Sequence, residues 1–190
     1  MATRMPSAAA ATYRRAVRVV GGSARGRTLV APPGARTRPT SDRVREAIFN
    51  ALRSRDVVEG ADVLDLFAGS GALGIEALSQ GAARATFVDS DRAARRAVRR
   101  NLEACGFLDR ASLVAAPAER FLARLGAKRF DLAFCDPPYA FAGWDSLLAA
   151  LPADFVVIES DRPVAVPAGL ALVREGRYGD TWVGFAAAAS

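Results

Sequence analysis

The chain has 190 residues, and among them there is no histidine, two cysteines and a single lysine, Lys128. Without histidine it lacks both the commonest general base and the commonest metal ligand. Cys105 and Cys135 are the only thiols, and both sit among apolar neighbours. Neither a disulfide framework nor a zinc site is expected, and no metal is assigned; both cysteines read as reduced core thiols. No apolar run approaches the roughly 18 residues of a membrane span, so no membrane segment is expected. With 51% hydrophobic residues, the composition suits one globular domain with a full core.

Acidic residues are what the first part lacks. Residues 1–55 hold 12 arginines against only Asp42 and Glu46, a net of +10, whereas the remainder holds 14 basic and 18 acidic residues, a net of −4. This asymmetry points to a polyanionic partner for the first segment, against the plainer reading of a solvated basic tail. Arginine in place of lysine favours nucleic acid, because the guanidinium forks onto phosphate and stacks on bases. Residues 1–16 are low in complexity and are expected to be a disordered tail. They carry arginine and alanine without acid, as organellar leaders do, but no secretory apolar core follows. The expected location is cytoplasmic.

Residues 17–34, VRVVGGSARGRTLVAPPG, read as two short strands around a turn rich in glycine and arginine. PTSDRVREAIFNALRSR reads as a helix. Thr40 or Ser41 caps it, Asp42 and Glu46 suit its first turns, and Val44, Ile48, Phe49 and Leu52 form an apolar face with Arg43 and Arg45 off it. From Asp62 the apolar runs DVLDLF, ATFVD, ASLVAA, FDLAFC and DFVVIE alternate with the helical segments GALGIEALSQ, DRAARRAVRRNLEAC, AERFLARL and WDSLLAAL. That alternation predicts right-handed crossovers and a parallel sheet covered on both faces. LALVREGRYGDTWVGFA predicts a closing hairpin, an antiparallel addition at one edge. The expected division is a tail over 1–16, a basic hairpin-and-helix appendage over 17–56 and an α/β domain over 57–190.

DLFAGSGALG holds Gly69, Gly71 and Gly74 in the spacing G-x-G-x-x-G, between a strand and a helix. Asp89 ends the next strand 20 residues after Gly69, where an acid binds ribose hydroxyls. Together these features point to an adenosine-containing ligand. A nicotinamide cofactor would set a pyrophosphate on the helix N-terminus. Asp65, just before the loop, would repel a phosphate but suits the ammonium of S-adenosylmethionine; it also suits a purely structural role as an acceptor for loop N–H groups.

FCDPPY ends a later strand, and in an open parallel sheet it faces the same crevice. A nucleobase amine is a poor nucleophile because its lone pair is delocalised into the ring. Two acceptors that take its two hydrogens localise that pair. Asp136 supplies a carboxylate, and Pro137 supplies a carbonyl stiffened by the proline after it. Tyr139 offers a face for the base to stack on, worth about 1–3 kcal/mol. Neither metal nor histidine is needed for transfer by positioning and electrostatics.

LDLFAGSGALGIEAL with DPPY resembles the S-adenosylmethionine-dependent amino-methyltransferases. RVVGGSARGRTL and TRPTSDRVREAIFNAL narrow the likeness to the RsmD-type 16S ribosomal RNA guanine-N2 methyltransferases, over almost the whole chain from about residue 18. The resemblance implies a Rossmann-like class I fold: a mostly parallel seven-stranded sheet, a C-terminal antiparallel hairpin, and a small basic N-terminal β-hairpin plus helix. It implies methylation of one guanine in 16S rRNA, on an assembling small subunit, with S-adenosylhomocysteine as product. Thr40, Asp65, Phe67, Gly69, Gly71, Asp89 and Ala118 would hold the cofactor, and Asp136, Pro137 and Tyr139 the guanine. Relatives often carry a polar residue near the adenine, where this chain has Pro117; the backbone of Ala118, or Glu119, is the substitute. Arg25, Arg27, Arg36, Arg38, Arg43 and Arg45 are the candidate RNA contacts. A monomer is expected. The competing readings are a DNA adenine-N6 methyltransferase, a nicotinamide oxidoreductase and a non-catalytic RNA-binding assembly factor.

Overall fold

A computed structural model of the chain describes residues 17–32, 41–138 and 140–189. The tail over 1–16, Arg36, Arg38, Thr40 and Tyr139 lie outside the described residues.

Strands β1 (Val17–Arg18) and β2 (Thr28–Leu29) pair antiparallel, with Val17 opposite Leu29. Helix α1 (Asp42–Arg53) starts at Ser41, whose side chain accepts from the Val44 N–H; Asp42 in the first turn and Arg53 in the last complement the helix dipole. There follow β3 (Asp62–Leu66), α2 (Ala72–Ser79), β4 (Arg84–Val88), α3 (Arg92–Cys105), β5 (Ala111–Val114), α4 (Ala118–Leu122), β6 (Phe130–Cys135), α5 (Trp144–Ala149), β7 (Ala153–Ser160), β8 (Leu170–Tyr178) and β9 (Thr181–Ala188). The seven strands run in the order β5-β4-β3-β6-β7-β9-β8. Those from β5 to β7 are parallel, and β9 pairs antiparallel with β7 and with β8. The sheet and its closing hairpin are as the sequence pattern predicts.

The central strands are apolar throughout because helices cover both faces. Val63, Phe87, Leu132 and Phe134 face the cluster built with α1, α2 and α3; Leu64, Leu66, Ala133 and Cys135 face the one built with α4 and α5. Val17, Val19, Ala24 and Leu29 join the first cluster, as do Val44, Ile48, Phe49 and Leu52 of α1. The N-terminal segment is therefore packed onto the sheet. Burial of each large apolar side chain, worth about 1.5–3 kcal/mol, holds strands too short to stand alone.

Arg45 departs from expectation. It is fully buried, not displayed for RNA. Its Nε lies 3.5 Å from Glu76 Oε2, and its Nη2 donates to Asp42 Oδ1 at 2.8 Å and to the Arg18 carbonyl. Glu76, also buried, accepts from the N–H groups of Val20 at 2.8 Å and Gly21 at 2.7 Å. An acid on another helix draws the arginine inward, which the apolar periodicity of α1 alone does not reveal. Arg45 is a structural cation joining α1, the hairpin and α2.

The chain order reverses at β3, with β4 on one side and β6 on the other, so a crevice opens beyond the carboxyl ends of β3 and β6. Leu66 lies opposite Cys135 in this pair. The residues that follow, Phe67 and Asp136, thus leave the sheet side by side.

Candidate active site

The turn after β3 is built from left-handed residues: Phe67 at φ 61, Gly69 at φ 56 and Gly71 at φ 76. For phenylalanine that conformation is uncommon and costs about 1–3 kcal/mol. Hydrogen bonds from Ala68 N to the Val88 carbonyl at 3.1 Å and from Gly71 N to the Ala68 carbonyl at 2.6 Å hold it. The three glycines do different work. A Cβ on Gly69 would meet only the Phe67 carbonyl, at 3.8 Å, so open space lies before it. A Cβ on Gly74 would stand 2.4 Å from the Phe87 ring, so this glycine lets α2 approach β4. Gly71 sits at the start of α2, and a Cβ there would press at 3.2–3.3 Å on Val98, Ile75 and Phe87.

Three carboxylates converge here. Asp65 is 2% exposed, and its Oδ2 accepts from Gly74 N at 3.0 Å. Asp89 accepts from Gly69 N at 2.9 Å with Oδ2 and from Asp91 N at 2.8 Å with Oδ1, which fixes it against the loop. Asp136 follows β6 and is half-buried. Burial raises the Asp65 carboxyl well above its usual value; the Gly74 amide opposes this, and the charges of Asp136 and then Asp89 push it further up. Cys135 repeats the pattern, its thiol driven far up by burial and by Asp65 and Asp136, which leaves it an inert core thiol. No basic side chain among the described residues forms an ion pair with Asp65 or Asp89. Among the described residues, these acids suit a cation better than a phosphate.

Pro137 is buried and Pro138 exposed. The Phe141 N–H donates to the Pro138 carbonyl at 2.8 Å, and this turn brings the Phe141 ring to 5.5 Å from Phe67, edge-on, and 5.4 Å from Trp144. An aromatic row thus runs from α5 to the glycine loop. Sequence reasoning missed Phe141 and Trp144; two aromatics three apart beyond the prolines were the available signal. Ala118 is buried as the first residue of α4, so its N–H belongs to the first-turn donors that have no intrahelical partner.

Asn101 of α3 was missed as well. It is fully buried, and its side chain bonds both backbone groups of Val30, accepting from N at 2.8 Å and donating to O at 3.0 Å, while also donating to the Ser70 carbonyl at 2.8 Å. One amide ties the N-terminal segment to the cofactor-type loop. Arg25, Arg27 and Arg43 are exposed, as RNA contacts must be.

The family model described as conserved hypothetical protein 95 matches residues 17–187. YlbH of Bacillus subtilis is 41% identical over 88% of this chain and 96% of its own length. The Ribosomal RNA small subunit methyltransferase D of Escherichia coli is 45% identical over 65% of this chain and 60% of that protein. The protein of the same name from Haemophilus influenzae is 32% identical over 86% of this chain and 89% of that protein. The solved structure of Escherichia coli YhhF superposes with a TM-score of 0.80 at 37% identity, covering 91% of this chain and 98% of that one. With its sheet order, its glycine turn and its acid-lined crevice, the chain belongs to this RsmD family of methyltransferases.

Proposed function

We propose that the protein transfers a methyl group from S-adenosylmethionine to the exocyclic N2 amine of a guanine in 16S rRNA, as a monomer acting in the cytoplasm on an assembling small subunit. The observation that carries this reading is the register of β3 and β6, which sets the carboxylate–proline end of one strand beside the glycine turn of the other.

The residues present fit the cofactor. An acid trio suits a ligand bearing a sulfonium and an ammonium, and the open side of Gly69 gives it room. Asp65 faces the ammonium, Asp89 the ribose hydroxyls, and the Ala118 N–H the adenine; Thr40 is the residue proposed to close over it. The cofactor supplies an electrophilic methyl on sulfur and leaves as the thioether S-adenosylhomocysteine. Asp136 and the Pro137 carbonyl accept the two N2 hydrogens and draw the nitrogen lone pair out of the ring toward the methyl. On taking the methyl, N2 would give up one of its hydrogens as a proton, and the Asp136 carboxylate already bonded to it would be the group that receives it. Phe67 and Phe141 wall the pocket, and Tyr139 is proposed to stack on the base. Excluding water in such a site strengthens each of these interactions. A base already unstacked in an RNA loop is the easiest to present.

The test is transfer of labelled methyl to small subunits, to free 16S rRNA and to duplex DNA, followed by mass spectrometry of the nucleosides. N2-methylguanosine in 16S rRNA is expected. N6-methyladenine in DNA would transfer the assignment to the adenine-specific alternative, and absence of any product with a bound cofactor would favour an assembly factor.

A further inference from the structure

We infer that the outward face of α3 is a second RNA-contact surface, continuous with the N-terminal hairpin, and that it grips the phosphate backbone of the rRNA helix flanking the target base. This rests on the rRNA reading above.

Helix α3 buries Ala94, Ala97, Val98, Asn101 and Leu102 against the core. Its other side carries Arg92, Arg95, Arg96, Arg99 and Arg100 against a single acid, Glu103. Two of these arginines are engaged at home. Arg95 folds back onto the carbonyls of Asp89 and Ser90 at 2.9 and 2.8 Å, and Arg99 pairs with Glu103 at 3.2 Å. Arg92, Arg96 and Arg100 are exposed and have no hydrogen-bond or ion-pair partner among the described residues. Four-residue steps set them on one face, about 6 Å apart along the axis.

Like charges at this spacing repel one another, the reverse of the acid–base pairs that stabilise a solvated helix. A face kept only for solubility would gain by interleaving acids, and α3 does so once. The basic residues are all arginine, the type suited to forked phosphate contacts. Position adds a second argument. Asn101 on the flank of α3 holds the backbone of Val30, and the charge of Arg27 acts on the Cys105 thiol at the helix end. The hairpin carrying exposed Arg25 and Arg27 therefore lies against α3. The helix itself begins at Arg92, three residues after Asp89, at the rim of the crevice. The two sets of arginines border the site as one basic surface, matched to a duplex read through its phosphates and shape.

The test compares two triple variants of the full chain with equal net charge: Arg92→Gln with Arg96→Gln and Arg100→Gln, and a control of Arg120→Gln with Arg124→Gln and Arg129→Gln, exposed positions on and after α4. Binding to small subunits and to 16S rRNA is measured across a salt series, and cofactor affinity by calorimetry. The α3 variant is expected to bind RNA about ten-fold or more weakly at physiological salt. Its slope of log affinity against log salt should be shallower by about two, since each lost phosphate contact removes roughly 0.7–0.9. Its cofactor affinity should be unchanged, and the control should bind RNA as the unaltered protein does. RNA binding by the α3 variant equal to that of the unaltered protein would overturn this surface and leave the rRNA reading intact. Equal losses in both triples would overturn it too, reducing the effect to net charge. Failure of the unaltered protein to bind either RNA would overturn the parent reading and this one together.

Discussion

Two buried acids flank the same glycine loop and are treated in opposite ways. Glu76 on α2 is met by Arg45 and by the N–H groups of Val20 and Gly21, so its charge is answered inside the fold. Asp65 on β3 is met by the Gly74 N–H; burial holds its pKa above the usual range, and the charges of Asp136 and Asp89 push it further up. An uncompensated acid of that kind is costly to a fold. Its place in a crevice beside an open glycine is what supports the proposed role of Asp65 as the partner of a cationic ligand. The comparison separates a carboxylate that builds the protein from one proposed to meet a cofactor.

Breaking the structural side should have the largest effect. Glu76→Ala leaves the Arg45 charge buried beside unpaired N–H groups and should cost about 3–5 kcal/mol in chemical denaturation. Pairing Glu76→Leu with Arg45→Met should recover much of that loss; a single variant as stable as the parent would end the distinction. Asp89→Ala lies on the ligand side. It removes the anchor of Gly69 and should weaken cofactor binding by about ten- to a hundred-fold, or about 1.4–2.8 kcal/mol, measured by calorimetry. Asn101→Ala bridges the two regions by freeing Val30 from the Ser70 loop. A stability loss of about 1–3 kcal/mol is expected, with a several-fold loss of cofactor affinity that a purely structural role for Asn101 would not cause.

The smallest effect is the sharpest test of Asp65. Its folded pKa is raised, so the unfolded chain releases this proton near pH 3.8 while the folded chain still holds it. Stability is therefore lost as pH rises from that value through the folded pKa. Asp65→Asn escapes this loss. The thermal midpoint of the ligand-free variant should exceed that of the parent by a margin that widens over that window and then levels off. With cofactor present the order should invert, because the variant no longer offers a negative charge. A margin independent of pH would mean that Asp65 is ionised at no special cost.

Much of this was legible in the residues. The near-continuous apolar strands, the glycine spacing and the proline-terminated FDLAFC gave the sheet and located the crevice, since each is a local signal. Asp65 and Asp89 could be placed because strand ends fix where an acid points. What escaped depends on contacts between distant segments. Arg45 looked like a surface residue of α1 until Glu76, 31 positions on, claimed it. Nothing local in the basic helix singles out Asn101, because its three bonds reach 71 and 31 residues away. Phe141 is drawn to Phe67 by a turn that only the folded chain shows.

The central claim is that Asp136, beside the glycine turn, accepts a hydrogen of the reacting amine. It is tested most directly by single-turnover methyl transfer to 16S rRNA with Asp136→Ala, alongside the cofactor dissociation constant of the same variant. Transfer should fall by about 10²–10³-fold, the usual loss when a preorganised electrostatic contact is removed, while cofactor affinity stays within a few-fold. Transfer at the parent rate would contradict the account.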